Sequence, residues 1–258
     1  MIGDRPGLTE AAAAMRACQR ALAERGRVLW QEAVGRAPVE PWRHYPDGEV
    51  YDPRSHAQYF YHCHQQPGAG PDAEHGHFHL FLRAEGMPPG VAPLLLPELA
   101  VADIPAPPQA PPLKRGGRGE VSHLVAIAVD RAGAPIRLFT TNRWVTGETW
   151  YAARDVVAML DCFQLPGDRL LDRWLMSVLR LFRGDIAALL CERDGRLTGW
   201  RRNCRGDAFE ARRLEIASAT AIDLETRLAE IDHHTQAPAP PPLWSVPNLP
   251  PMAEGWGA

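Results

Sequence analysis

The stretch HAQYFYHCHQQPGAGPDAEHGHFHLFLR, residues 56–83, decides how this chain folds. It holds His62-Cys63-His64 and then His75-Gly76-His77-Phe78-His79. Side chains on a β-strand alternate between its faces, so each run places its imidazoles on one face if the segment is extended. The link from Gln65 to Glu74 carries Pro67, Gly68, Gly70 and Pro71, residues that favour turns over strand. Two strands joined by such a link predict an antiparallel hairpin. Pairing His64 with His75 sets His62 opposite His77 and Phe60 opposite His79, with paired Cβ atoms about 4.5–5.5 Å apart. His56 and Gln58 continue the same face. The other face collects Ala57, Tyr59, Tyr61, Cys63, Phe78, Leu80 and Leu82, which suit a core. A slip of one residue would mix the two sets, so the apolar pattern supports this register.

Imidazole is the commonest protein ligand for transition metals and the usual base near neutral pH. Three neutral nitrogens converging on one point, with a further position open, make a catalytic site for zinc, iron or copper. The expectation is a metal-dependent enzyme acting on a small molecule, by oxidative or hydrolytic chemistry. Its one divalent transition metal (iron, zinc or copper) is drawn from His62, His64, His75, His77 and His79. Glu74, Asp72 or Glu148 could add oxygen ligands. A histidine face can also be a polar network or a pH-sensitive patch, so a non-catalytic metal-binding or interaction protein competes with the enzyme. The His-x-His element resembles the metal-binding strands of cupins, but the glutamate and later glycine of that pattern are absent. Residues 75–81 also resemble the motif of the histidine-triad nucleotide hydrolases and transferases. That likeness implies His77 as the nucleophile on an α-phosphate, although Gly76 stands where those proteins favour an apolar side chain.

The rest of the chain supplies a frame for the hairpin. The alanine-rich stretch from Leu8 to about Arg25 predicts a helix, which Val28–Val34 could continue. Residues 38–53, broken by Pro38, Pro41, Pro46 and Pro53, predict an irregular segment in which His44 and Tyr45 could cover the site. Ser122–Val129 and Ile136–Asn142 predict a second hairpin. His123 then shares an apolar face with Val121, Val125, Ile127 and Val129, where a histidine is usually a satisfied core residue. Trp150–Phe163 and Asp168–Phe182 predict amphipathic helices, the second capped by Asp168. Asp185–Cys191 predicts a short helix or strand, Arg213–Ala219 a last strand and Ile222–Ile231 a last helix. In the strand-to-helix turn TTNRWVTGETW, residues 140–150, Arg143 could clamp a carboxylate or phosphate and Glu148 could act as a general base. These two are the expected catalytic side chains.

The fold class expected is α+β, an antiparallel β-sheet built from two hairpins and flanked by N- and C-terminal helices. One domain spans 1–235, with a proline-rich surface segment at 88–112 and an irregular proline-rich tail at 236–258. Bulk properties narrow the function. Net charge is −3 over 258 residues, which gives no electrostatic case for nucleic acid or an anionic membrane. The five cysteines are scattered and form no CxxC pair, against a disulfide scaffold or a thiolate zinc ribbon. No apolar run approaches the roughly 20 residues of a membrane helix, and no signal peptide is evident, so a cytoplasmic location is expected. Arginine almost replaces lysine, with Lys114 alone, as in bacterial chains encoded at high GC content. The segments HYPDGEVYDPRSHAQYFYHCH, EHGHFHLFLR and RLFTTNRWVTGETWY, within residues 40–235, resemble a bacterial family known only as a domain of unknown function. That resemblance implies no activity, cofactor or catalytic residue.

Overall fold

The structure, a computed structural model, describes residues 5–36, 38–64, 73–94, 120–204 and 206–236. The hairpin link at 65–72, most of the proline-rich segment and the C-terminal tail lie outside the described residues.

Six strands form one antiparallel sheet in which sequence order is spatial order. They are β1 (Tyr45–Tyr51), β2 (Ala57–His62), β3 (Gly76–Arg83), β4 (Val121–Val129), β5 (Pro135–Thr141) and β6 (Ile216–Ala221). Seven helices accompany them among the described residues: α1 (Arg5–Glu24), α2 (Gln31–Val34), α3 (Arg143–Thr146), α4 (Ala153–Leu160), α5 (Leu170–Leu181), α6 (Arg183–Asn203) and α7 (Leu224–Gln236). The fold is α+β with an antiparallel sheet and helices at both ends of the described chain, as the two hairpins predict.

The register of the histidine hairpin follows the sequence pattern. His62 pairs with His77, Tyr61 with Phe78 and Phe60 with His79. Tyr59, Tyr61, Phe78, Leu80 and Leu82 point into the main core, where α1, α4, α5 and α6 cover the sheet. On α1 the buried Ala11, Met15, Cys18 and Leu22 fall on one helical stripe, which meets α5. Phe78 and Leu80 are fully buried, and each contributes about 1.5–3 kcal/mol by leaving water.

Four local expectations are corrected. The irregular segment at 38–53 contains β1, an edge strand that tolerates Pro46 because its outer side needs no ladder donor. A register shift between Tyr45 and Val50, with Gly48 at φ 82° and Glu49 at φ 62°, lets the proline-bearing chain rejoin β2. The short element at Asp185–Cys191 is part of the 21-residue α6. Its apolar residues thin to one buried stripe, Ile186, Leu189, Leu190 and Leu197, so the polar remainder hides the helix from a composition reading. The first residue before α5 is Arg169 and makes no side-chain cap, while Asp168 accepts a bond from the Arg169 amide instead.

The fourth correction concerns His123. A bulge in β4 pairs Leu80 with Val125 but Phe81 with His123, leaving Leu124 as the extra residue. Leu124, Val125, Ile127 and Val129 all face the helices. His123 therefore falls on the opposite face, beside Phe81 and His79, rather than with Val125 and Ile127. The bulge also turns the His123 amide to a side-chain acceptor, Glu148 Oε2, at 2.8 Å.

Candidate metal centre

The face away from the helices carries the histidines. Across the strands, one row runs His62, His77, Ala128 and Arg137, and the next runs Phe60, His79, Ala126 and Phe139. Ala126 and Ala128 are the small members, and Phe139 packs over both of them. The ring of Phe139 reaches His77 edge-on at 5.0 Å between centroids, and the Arg137 guanidinium lies over that ring at 4.9 Å. Large side chains on β4 would keep β5 from leaning onto the histidine strand.

His62, His64 and His77 each present one nitrogen such that the three atoms lie within 4.8 Å of one another, a group that could hold a metal ion. His62 Nε2 and His77 Nε2 are 2.7 Å apart. Two nitrogens bound at about 2.0–2.1 Å to one ion sit roughly 2.9–3.4 Å apart for ligand angles from square to tetrahedral, so a small ring movement suffices. His77 Nδ1 lies 2.5 Å from Glu74 Oε1, and the other oxygen of Glu74 pairs with Arg137. A carboxylate on Nδ1 fixes the tautomer that leaves the Nε2 lone pair available, the usual support of a metal-binding histidine. With that lone pair on His77, the proton between the two Nε2 atoms belongs to His62. His62 Nδ1 is then a buried nitrogen without a hydrogen-bond partner among the described residues. A metal bound at His62 Nε2 would replace its hydrogen bond to His77 and shift the His62 proton to Nδ1.

Electrostatics favour the neutral forms of His62, His64 and His79. Burial, then the neighbouring His77, His64 and His44, push the His62 imidazolium down to about 2. Burial and His77 likewise lower His64, and burial with His77 and His123 lowers His79. Neutral imidazoles do not ask an incoming cation to displace protons. Burial alone would raise Glu74, but its bonds and charge contacts with His77 and Arg137 outweigh this and keep its carboxyl below the ordinary range. A pocket of about 330 Å³ opens beside the group, touching His64, His77, Arg137, Thr141 and Glu215. A larger cleft of about 1100 Å³ lies between α1, α5 and α7, on the far side of the sheet from the histidine face. It holds no histidine cluster among the described residues.

The remaining expected site residues are placed differently. His75 precedes β3 and leaves the histidine row, with Nδ1 2.5 Å from the Tyr61 hydroxyl and its ring stacked on Trp30 at 4.1 Å. His79 lies in the row, but its Nδ1 faces His123 Nε2 at 3.0 Å. Arg143 turns from the pocket to Asp207 and Glu210, 3.2 and 2.9 Å away, with its guanidinium over Phe209. Glu148 is buried and accepts from the His123 amide and the Thr146 hydroxyl, and burial raises its carboxyl to about 7. The structure thus gives Arg143 and Glu148 structural partners and does not bring either to the three histidines. Arg137 was missed. Its only sequence signal is a charge alternating with Phe139 and Thr141 on an otherwise apolar strand.

The fold and site define an α+β protein whose sheet carries, on the face opposite its helices, a three-histidine group able to hold a metal. The chain belongs to the family described as a domain of unknown function (DUF6969), whose model matches residues 9–222. No curated protein and no solved structure matches it. No described helix is long and apolar enough to cross a membrane.

Proposed function

We propose that this chain is a metal-dependent enzyme in which His62, His64 and His77 hold one divalent transition metal beside a pocket for a small molecule. One observation carries the proposal: nitrogens of three histidines lie within 4.8 Å of one another, and one of the three, His77, is backed by the Glu74 carboxylate. The adjoining pocket favours an open coordination position over a closed structural site. When bound, the metal would supply Lewis-acid or redox chemistry to a molecule entering that pocket. Around it, Arg137 and Thr141 offer donors and Glu215 an acceptor that can orient a small polar molecule. Iron, zinc and copper all suit neutral imidazoles.

The histidine-triad alternative draws less support. It asks His77 Nε2 to attack a phosphate, and the pocket lining beside it sets two carboxylates, Glu74 and Glu215, against the single guanidinium of Arg137.

Elemental analysis of untagged protein purified without chelator tests the proposal, with zinc and iron titrations of the stripped chain. The expected result is close to one equivalent, lost in His62→Ala and His77→Ala and kept in His75→Ala. Less than a tenth of an equivalent, with no titratable binding and no change in His77→Ala, would refute it.

A further inference from the structure

His62 and His77 are fixed by the β2–β3 ladder, where they face each other. His64 is not. It lies two residues beyond the end of β2, in a bend, half-buried, and its ring makes no hydrogen bond among the described residues. Its edges meet the rings of His62 and His77, at 4.9 and 5.1 Å between centroids, and its flat face lies on Trp42. The His64 and Trp42 rings stack at 4.3 Å between centroids and 16° between planes. Trp42 is anchored for this contact by its amide, which donates to the Cys63 carbonyl at 2.8 Å.

Two features of Trp42 are costly unless they serve a purpose. Its backbone sits at φ 67°, in the left-handed region that a bulky residue seldom adopts. Its indole is 65% exposed, one of two large apolar side chains left so open among the described residues. Moving Trp42 to an ordinary backbone conformation would swing the indole off His64. The next residue, Arg43, is braced by ion pairs to Glu40 and Asp47, which hold the turn.

We propose that Trp42 is a positioning residue of the metal centre. Its indole lies on His64 as a plate and fixes the plane of the one ligand that the sheet does not hold. This rests on the assignment of His62, His64 and His77 as ligands. The inner face of the indole sets the ring, and the outer face is exposed.

The test is titration of the stripped full-length chain with Co²⁺, followed by its visible d–d absorption and by tryptophan fluorescence, in wild type, Trp42→Ala and Trp42→Phe. Loss of a support that orients a ligand costs about 10–100-fold in metal affinity. Trp42→Ala should therefore bind Co²⁺ at least about tenfold more weakly, with the weaker absorption of a higher-coordinate ion. Trp42→Phe, which retains a ring to stack, should restore most of both. Wild-type fluorescence should be quenched on binding, and Trp42→Phe should lose that part of the quench. Thermal unfolding of the metal-free variants within a few degrees of wild type shows that the fold is intact. Equal affinity and an equal spectrum in Trp42→Ala would overturn the inference while leaving the metal centre standing. A wild-type chain that takes up no Co²⁺ would overturn both, and is told apart by its silence in every arm.

Discussion

Replacing Glu148 by Gln should make the protein more stable, and only above mildly acidic pH. The carboxyl is buried, with one oxygen on the His123 amide and the other on the Thr146 hydroxyl. Burial is the largest influence on it, and it raises proton release from 4.5 to about 7 despite the nearby charge of Arg193. Below pH 4.5 folded and unfolded chains both hold this proton, and the burial of Glu148 carries no pH-dependent cost. Between 4.5 and 7 the unfolded chain releases it and the folded chain does not. Stability then falls by roughly 1.4 kcal/mol per pH unit, to a total of about 3 kcal/mol, and is flat above 7. Glutamine keeps an acceptor for the His123 amide and carries no titratable proton. Urea unfolding of wild type and Glu148→Gln at half-unit steps from pH 4.5 to 8.5 measures the difference. The histidines whose imidazolium forms are suppressed act in the opposite sense, costing stability as pH drops through 6.5. They are common to both proteins and cancel in the subtraction. The variant should gain steadily on wild type from pH 4.5 to 7 and then hold its lead. A difference that does not change with pH, or that shrinks as pH rises, would show that Glu148 is not held protonated by burial.

Glu74→Gln should weaken zinc binding about 10–100-fold by calorimetry, because His77 loses the carboxylate that fixes its tautomer, with little effect on metal-free stability. Gly76→Ala should cost about 3 kcal/mol in urea unfolding, since a methyl there lies 2.6 Å from the His62 carbonyl oxygen and presses on the Tyr61 hydroxyl. An unchanged midpoint would mean the hairpin can spread at that point. Arg143→Ala should cost about 1 kcal/mol, as its two ion pairs are partly exposed, and should leave metal content untouched. Loss of metal in that variant would return Arg143 to the site.

Much of this was written in the order of residues. Alternation alone placed His62 opposite His77 and sent Tyr59, Tyr61, Phe78, Leu80 and Leu82 to the core, because a pleated strand has a strict period of two and only one register keeps apolar side chains together. The second hairpin and the flanking helices follow from the same periodicities. Local sequence could not decide which imidazoles meet. His75 has the right parity but lies just outside β3, its amide donates to the Val129 carbonyl, and Tyr61 with Trp30 captures its ring. His123 has the wrong parity by counting and the right one in space, because a single extra residue in β4 reverses every face before it. Arg143 and Glu148 look like reactive groups in a polar turn, yet their partners are Asp207, Glu210 and the amide freed by that bulge, contacts made across distant segments. Arg137 and Glu74 stand 63 residues apart, and only a sheet with alanines on β4 lets them join behind His77. The sequence by itself determined that a histidine face exists and which strands carry it, since that is a matter of backbone period. The tertiary structure alone decided that His62, His64 and His77 converge, because convergence depends on where strands end, where one bulges, and what packs against each ring.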